Sequence, residues 1–313
     1  MAMAAWENGI VISDATFTRR GIRSRRVDLR GELGTIEPLM DTSRAVVRVE
    51  ADDSFEGAWF AVVLEQESLE GTQELVLQQL RRGEDGAVMS MDPPILRSVR
   101  DVQSLSIFSE GADVFVGWDE GTDTRHVWSP HWGETVSIAR EALGALDLAM
   151  DGTHIVVATG TRALAFLSRV DGSLVSEVET SGELVKGQPI ASDDGFVWAL
   201  VNDASGASIQ RVDAGMAGPT SVLPGTESHL FGVELTSDGL VVTRASEAQA
   251  RAWVLSPAHP TEVVRSWNAD EISGPAQPIV HVDVTETLNG TAILTNFGAA
   301  GSSLAVLACG TER

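Results

Sequence analysis

The side chains best equipped for chemistry in this 313-residue chain are six histidines and two kinds of charged cluster. His126 and His131 sit in Arg125-His126-Val127-Trp128-Ser129-Pro130-His131-Trp132. Two imidazoles can begin a metal site, but such a site needs further ligands that converge, and this spacing across a strand and its loop does not enforce that. No metal is expected. Asp119-Glu120-Gly121-Thr122-Asp123 alternates oxygen-bearing side chains in the manner calcium accepts. A calcium loop needs more oxygens, including a bidentate acid, so an acidic hairpin turn is the plainer reading. His281 and Asp283 alternate, which puts them on one side of a strand. Six arginines, Arg19, Arg20, Arg23, Arg25, Arg26 and Arg30, fall within twelve residues. Arginine forks suit carboxylate or phosphate partners. The competing reading is local compensation by Asp14, Asp28, Glu32 and Glu37. There is no G-x-S-x-G, H-E-x-x-H or phosphate-loop motif.

The bulk composition narrows the partners. Formal net charge is −23, from 45 acidic and 22 basic residues, so the surface repels nucleic-acid phosphates and anionic lipid. No nucleic-acid partner is expected. Cys309 is the only cysteine, which rules out an intrachain disulfide and leaves the compartment undecided. At the end of an apolar run it reads as a small buried hydrophobe. No apolar run approaches the roughly 18 residues that would span a membrane. The start, Met1 to Asn8, lacks a basic end and a long apolar stretch, so it does not read as a signal peptide. A cytoplasmic protein and a mature exported domain without its leader both fit, the exported one slightly better.

The elements that must hold these residues are legible from a repeat. Seven times an acidic residue or asparagine precedes glycine and an apolar strand-like run follows, at Gly9, Gly57, Gly111, Gly152, Gly195, Gly239 and Gly290. The spacing is 41 to 54 residues. One turn plus strands at that period is the trace of a β-propeller blade. The fold expected is all-β: one domain forming a seven-bladed propeller of four-stranded antiparallel blades. The blades run approximately 1–42, 43–98, 99–143, 144–185, 186–229, 230–275 and 276–313. The last has no evident fourth strand. Either a terminal segment closes it or it keeps three. Inner strands of such a fold line a central channel, which would make His281 and Asp283 a channel-facing polar pair. Segment 66–82 carries a faint helical periodicity, but Leu75-Val76-Leu77 reads as strand.

The residues between about 160 and 215 also carry a resemblance. The runs Leu167-Ser-Arg-Val-Asp171-Gly172, Gly187-Gln-Pro-Ile-Ala-Ser-Asp-Asp-Gly195-Phe-Val-Trp-Ala-Leu-Val and Ala204-Ser-Gly206-Ala-Ser-Ile-Gln-Arg-Val resemble the repeats of pyrroloquinoline-quinone-like propellers. The WD-repeat signature, by contrast, does not recur, and Trp118-Asp119 is a single occurrence. The resemblance implies a propeller. It also implies either a scaffold or assembly factor of the bacterial envelope or a quinone-dependent dehydrogenase. Dehydrogenases of that kind pair vicinal cysteines with calcium. With one cysteine here, the resemblance implies no bound quinone, and no cofactor is expected.

Two functional classes, with a third behind them, follow. The first is a non-catalytic binding or scaffolding propeller, contacting a protein or small ligand at one mouth and along Arg19–Arg30. The second is a propeller hydrolase or lyase with acids and a histidine, His281 or His229, at one mouth. The third is a carbohydrate-binding lectin, which would need exposed tryptophans at equivalent blade positions. Trp59, Trp118 and Trp198 instead fall on second strands and Trp128 and Trp253 on third strands, which reads as packing.

Overall fold

The structure is a computed structural model. It describes residues 2–6, 9–15, 21–28, 33–41, 44–54, 57–65, 72–82, 88–90, 94–139, 144–203, 206–223, 230–246, 249–267, 281–287, 290–296 and 302–308. Before residue 44 the side chains described are Ile22 and Met40; from 281 on they are Val284, Thr291 and Ile293. Among the described residues there are strands and no helix. The chain divides into two compact units, Met1–Ala139 and Arg140–Arg313.

The first unit holds three antiparallel sheets. Ala2–Trp6, Gly9–Ala15, Gly21–Asp28 and Leu33–Asp41 form the first, in sequence order. The second is Val46–Ser54, Gly57–Glu65 and Thr72–Arg82, with both Val88–Ser90 and Ile95–Arg100 paired to Thr72–Arg82. The third is Val102–Glu110, Asp113–Glu120, Thr124–Trp128 and Val136–Ala139.

The second unit holds four. Leu148–Met150, His154–Ala158, Ala163–Ser168 and Leu174–Glu179 form the fourth sheet. In the fifth, Glu183–Leu184 and Ile190–Asp193 both pair Phe196–Asp203, followed by Gly206–Val212 and Ala217–Val222. The sixth is Leu230–Thr236, Gly239–Ser246, Gln249–Leu255 and Val263–Trp267. The last has three described strands, His281–Thr287, Gly290–Asn296 and Ser302–Ala308.

Burial on both faces explains why the second strands read as continuous apolar runs. Along Phe196–Asp203, Val197, Ala199 and Val201 pack with Val156 and Phe166 of the fourth sheet. The alternate residues Trp198 and Leu200 pack with Val233 and Val242 of the sixth. Gly57–Glu65 works the same way in the first unit. Ala61 and Val63 join Leu105 and Val116 of the third sheet, while Val62 and Leu64 join Ile22 of the first.

Each recurrent glycine lies at the hairpin between the first two principal strands of its sheet, but the registers differ. Gly239 pairs with Thr236 across a two-residue turn, whereas Gly195 lies inside the turn closed by Asp193 and Phe196. Positive φ is adopted at Gly111 (59°), Gly152 (89°), Gly195 (83°) and Gly239 (130°), which is why glycine recurs there. Contacts between neighbouring sheets form near some of these corners. Asp52 Oδ2, on the strand that leads to Gly57, accepts the Ser109 N–H near the end of the next sheet's first strand. The Asp151 carbonyl accepts the Gly195 N–H at 2.9 Å, and Asp238 Oδ2 lies 3.5 Å from Thr291 Oγ1. These three contacts join the second sheet to the third, the fourth to the fifth and the sixth to the last near their first hairpins.

Several boundaries differ from those expected. The second sheet runs to Arg100 because its third strand, at 11 residues, is long enough to carry two outer strands end to end. The sequence between them is Met91-Asp92-Pro93-Pro94, and of these residues the structure describes Pro94, which cannot donate to a ladder. The short strand Glu183–Leu184 has no signature in the sequence.

Candidate functional site

The third sheet sets out the best-formed polar constellation. Its register places Trp118, His126 and Ser137 directly across from one another on three successive strands. The next rung holds Asp119, Arg125 and Ile138. Alternation sends adjacent rungs to opposite faces, and Glu120 to the His126 face.

On that face His126 is bound at both ring nitrogens. Nε2 lies 3.2 Å from Glu120 Oε2, and Nδ1 lies 3.0 Å from Ser137 Oγ. The Trp118 ring stacks on the imidazole at a centroid distance of 5.2 Å. Burial lowers the His126 pKa below its usual value; Glu120 raises it and Arg97 lowers it. A neutral ring with a carboxylate at Nε2 carries its proton there, because a carboxylate only accepts. Nδ1 is then the acceptor for the Ser137 hydroxyl. Acid, imidazole and hydroxyl stand in the order of a general-base relay. Acyl transfer also needs donors aimed at an oxyanion. The cation acting on this rung is Arg97, whose guanidinium lies 5.2 Å over Trp128.

On the opposite face Arg125 and Asp119 form a fully buried pair, Nε to Oδ1 at 2.6 Å and Nη2 to Oδ2 at 3.0 Å. Ser104 Oγ adds a 2.7 Å bond to Asp119 Oδ2. Asp119 therefore faces inward to a guanidinium and is no calcium ligand. The rest of that segment is a hairpin: Gly121 has φ 60° and Thr122 donates to Asp123.

His126 and His131 do not form a joint site. His131 lies 3.5 Å from Asp113 and is 59% exposed, while His126 engages Glu120. No group of three or more potential metal-binding residues occurs among the described residues. Asp151 is a local turn former. Burial would raise its pKa, but hydrogen bonds from His154 and Thr153 outweigh that and lower it. Its Oδ1 accepts the Thr153 and His154 N–H groups at 3.0 and 2.7 Å.

Of the arginine segment, Arg19, Arg20 and Arg30 lie outside the described residues. Arg23, Arg25 and Arg26 lie on the third strand of the first sheet, where the register sets Arg23 opposite Asp14, Arg25 opposite Ile12 and Arg26 opposite Val11. His281 and Asp283 lie on the first strand of the last sheet, opposite Asn296 and Leu294. His229 and Cys309 lie outside the described residues. Trp118, Trp128, Trp132, Trp198 and Trp267 are buried, and Trp198 donates to Asp193 at 2.9 Å, so these five serve packing. Sequence reasoning passed over Ser137, Glu120 and Arg97. Their signal was the hairpin register, which brings His126 beside Ser137 once the turns at 121 and 129–135 are fixed.

No family model matches the chain, and no curated protein matches it. Solved structures do. A computationally designed protein, Ika8, is similar over 98% of this chain and 95% of its own, at 14% identity and a TM-score of 0.55. BamB from Moraxella catarrhalis is similar over 97% of this chain and 82% of its own, at 12% identity and a TM-score of 0.52. At such identities the likeness speaks for the fold alone. No helix of the described residues is long and apolar enough to cross a membrane. The all-β sheets and these neighbours together support a propeller-like fold and no particular family.

Proposed function

We propose that this chain is a non-catalytic binding or scaffolding propeller, its seven sheets serving as seven blades of one domain. The observation that carries the reading is the structural use of the repeated corners. Gly111, Gly152, Gly195 and Gly239 adopt positive φ in hairpins, and contacts of Asp52, of the Asp151 carbonyl and of Asp238 join neighbouring sheets. What repeats is structural, so function falls to what does not repeat: the loops, the outer strands and the arginine segment.

In this reading Arg19, Arg20, Arg23, Arg25, Arg26 and Arg30 meet an acidic protein surface. His281 and Asp283 form a polar pair on an inner strand, at a mouth that takes a protein or a small ligand. An exported location suits a scaffold of this kind. The test is titration of a labelled polyglutamate probe into wild-type protein and into Arg23→Ser/Arg25→Ser/Arg26→Ser. Binding that weakens in the variant and with salt supports the reading. Equal binding by both proteins, or none, removes the arginine surface.

A second reading, a hydrolase, is favoured by the Ser137–His126–Glu120 relay. Its test is labelling by a fluorophosphonate probe. Modification at Ser137 that is lost in His126→Gln supports it, and unmodified Ser137 at high probe concentration rules it out.

A further inference from the structure

The exposed large apolar residues of the second unit gather on outer strands and their turns. Leu174 (55%), Val175 (51%), Val263 (36%) and Val264 (62%) open the outer strands of the fourth and sixth sheets. A common irregularity produces both pairs. Phe166 pairs Ser176 and Leu167 pairs Leu174, which leaves Val175 as the extra residue of a bulge. Val254 pairs Arg265 and Leu255 pairs Val263, which does the same to Val264. Bulges at sheet edges re-aim side chains and blunt pairing. Here each presents two consecutive apolar residues at an edge.

The fourth-sheet pair lies in a wider apolar surface. Val170, in the turn leading to this strand, is 84% exposed. Ser176 Oγ donates to the Ala214 carbonyl at 2.6 Å, which ties the strand to the turn of the fifth sheet that carries Met216, 63% exposed. Carboxylates predominate around it, although Arg169 directly precedes Val170. Glu177 and Glu179 are exposed, the latter 3.7 Å from Arg162, and Asp171 is exposed with its pKa lowered by hydrogen bonds from Ser173. Asp213 accepts from the Gly215 and Met216 N–H groups. Four exposed apolar side chains on one edge strand and the turns beside it, interspersed with four carboxylates along the sequence, differ from apolar residues scattered singly over a surface.

The geometry points to a docking site along Leu174–Glu179 for an extended segment of a partner protein that alternates apolar and basic residues. The apolar side chains of that segment cover Val170, Leu174, Val175 and Met216, and its basic side chains meet Asp171, Glu177, Glu179 and Asp213. The acidic rim selects this occupant over an acidic strand or an anionic surface, and the net charge of −23 steers a basic segment inward. The sixth-sheet pair carries fewer carboxylates: Glu262 precedes it, but Arg265 follows it directly and lies 5.1 Å from the Trp267 ring. This inference rests on the protein-binding reading but uses a surface separate from the arginine segment.

The experiment uses the full chain and three fluorescent peptides of about eight residues, enough to run the length of one outer strand. One alternates lysine and valine, one lysine and serine, one glutamate and valine. Anisotropy should show binding of the lysine–valine probe, with the other two at least about tenfold weaker, a difference of ~1.4 kcal/mol. Leu174→Ser/Val175→Ser should weaken the first probe about tenfold without lowering the melting temperature, since both residues are exposed. Glu177→Lys/Glu179→Lys should invert the preference toward the glutamate–valine probe.

The inference is overturned if the lysine–valine probe does not bind, or binds both variants as it binds the wild type. It is also overturned if light scattering shows a dimer that dissociates in Leu174→Ser/Val175→Ser, because the occupant is then a second copy. Failure here with polyglutamate binding intact leaves the scaffolding reading standing. Loss of polyglutamate binding with this site intact removes the arginine surface alone.

Discussion

Removing one partner of the buried Asp119–Arg125 pair should be among the most damaging single changes in the first unit. Asp119→Ala takes away both carboxylate oxygens, at 2.6 and 3.0 Å from the guanidinium, and the acceptor of the 2.7 Å bond from Ser104. Three charge-assisted bonds vanish, and a side chain with no exposed surface keeps its charge. Breaking a buried pair in this way costs about 3–5 kcal/mol. Replacing both partners, as in Asp119→Leu/Arg125→Met, removes the desolvated charges together and should recover to within about 1 kcal/mol of wild type or exceed it.

Hydrogen-exchange mass spectrometry is the suitable assay, because a chain with two compact units need not unfold in one step. Peptides covering Asp113–Glu120 and Thr124–Trp128 should lose protection in Asp119→Ala and regain it in the double variant. Peptides covering Phe196–Asp203 should not change. A single variant costing under about 1 kcal/mol, or a double variant no better than the single, would refute the claim that desolvated charge dominates this contact.

Glycine replacements should separate conformational strain from collision. Gly195→Ala meets no atom within 4 Å but must hold φ at 83°, so it should cost about 1–2 kcal/mol in urea unfolding. Gly239→Ala adds a Cβ 2.6 Å from the Leu255 carbonyl at φ 130° and should cost more. Equal midpoints for the two would contradict this geometry. His126 has a lowered pKa, so the unfolded chain binds its proton first as pH falls. Its contribution is present above the usual histidine range and lost as pH drops through the folded value. The fall in melting temperature from pH 7.5 to 5 should be shallower in His126→Gln. Asp151 is likewise lowered, so its advantage over Asp151→Ala, about 1 kcal/mol at neutral pH, should vanish below the ordinary aspartate range.

The architecture was legible because its signals are local. An acid–glycine corner followed by an apolar run marks a hairpin wherever it stands, and seven of them mark seven sheets. Phe196–Val201 reads correctly because burial on both faces erases alternation in a way any strand buried on two sides shares. The bulges at Val175 and Val264 left no trace, since a bulge is a property of two strands compared and neither sequence alone encodes it. The Ser137–His126–Glu120 relay stayed hidden for the same reason. Its members are 11 and 6 residues apart, and only the register across strands makes them neighbours. The acidic hairpin at Asp119–Asp123 was legible, but the inward turn of Asp119 was not, because a cross-strand arginine draws it inside.

The bonds of Asp52, of the Asp151 carbonyl and of Asp238 link three of the repeats to the copies that follow them. A unit that couples to its successor behaves as one site of a one-dimensional chain of neighbours. Its melting then depends on how far order propagates along the chain, and severing one link shortens that correlation length more than it lowers the mean stability. The same linkage constrains descent. A duplicated unit arrives with the hairpin corner near which these contacts form, so copies can accumulate while drifting in loops and outer strands, and the corner is the part that drift must leave alone.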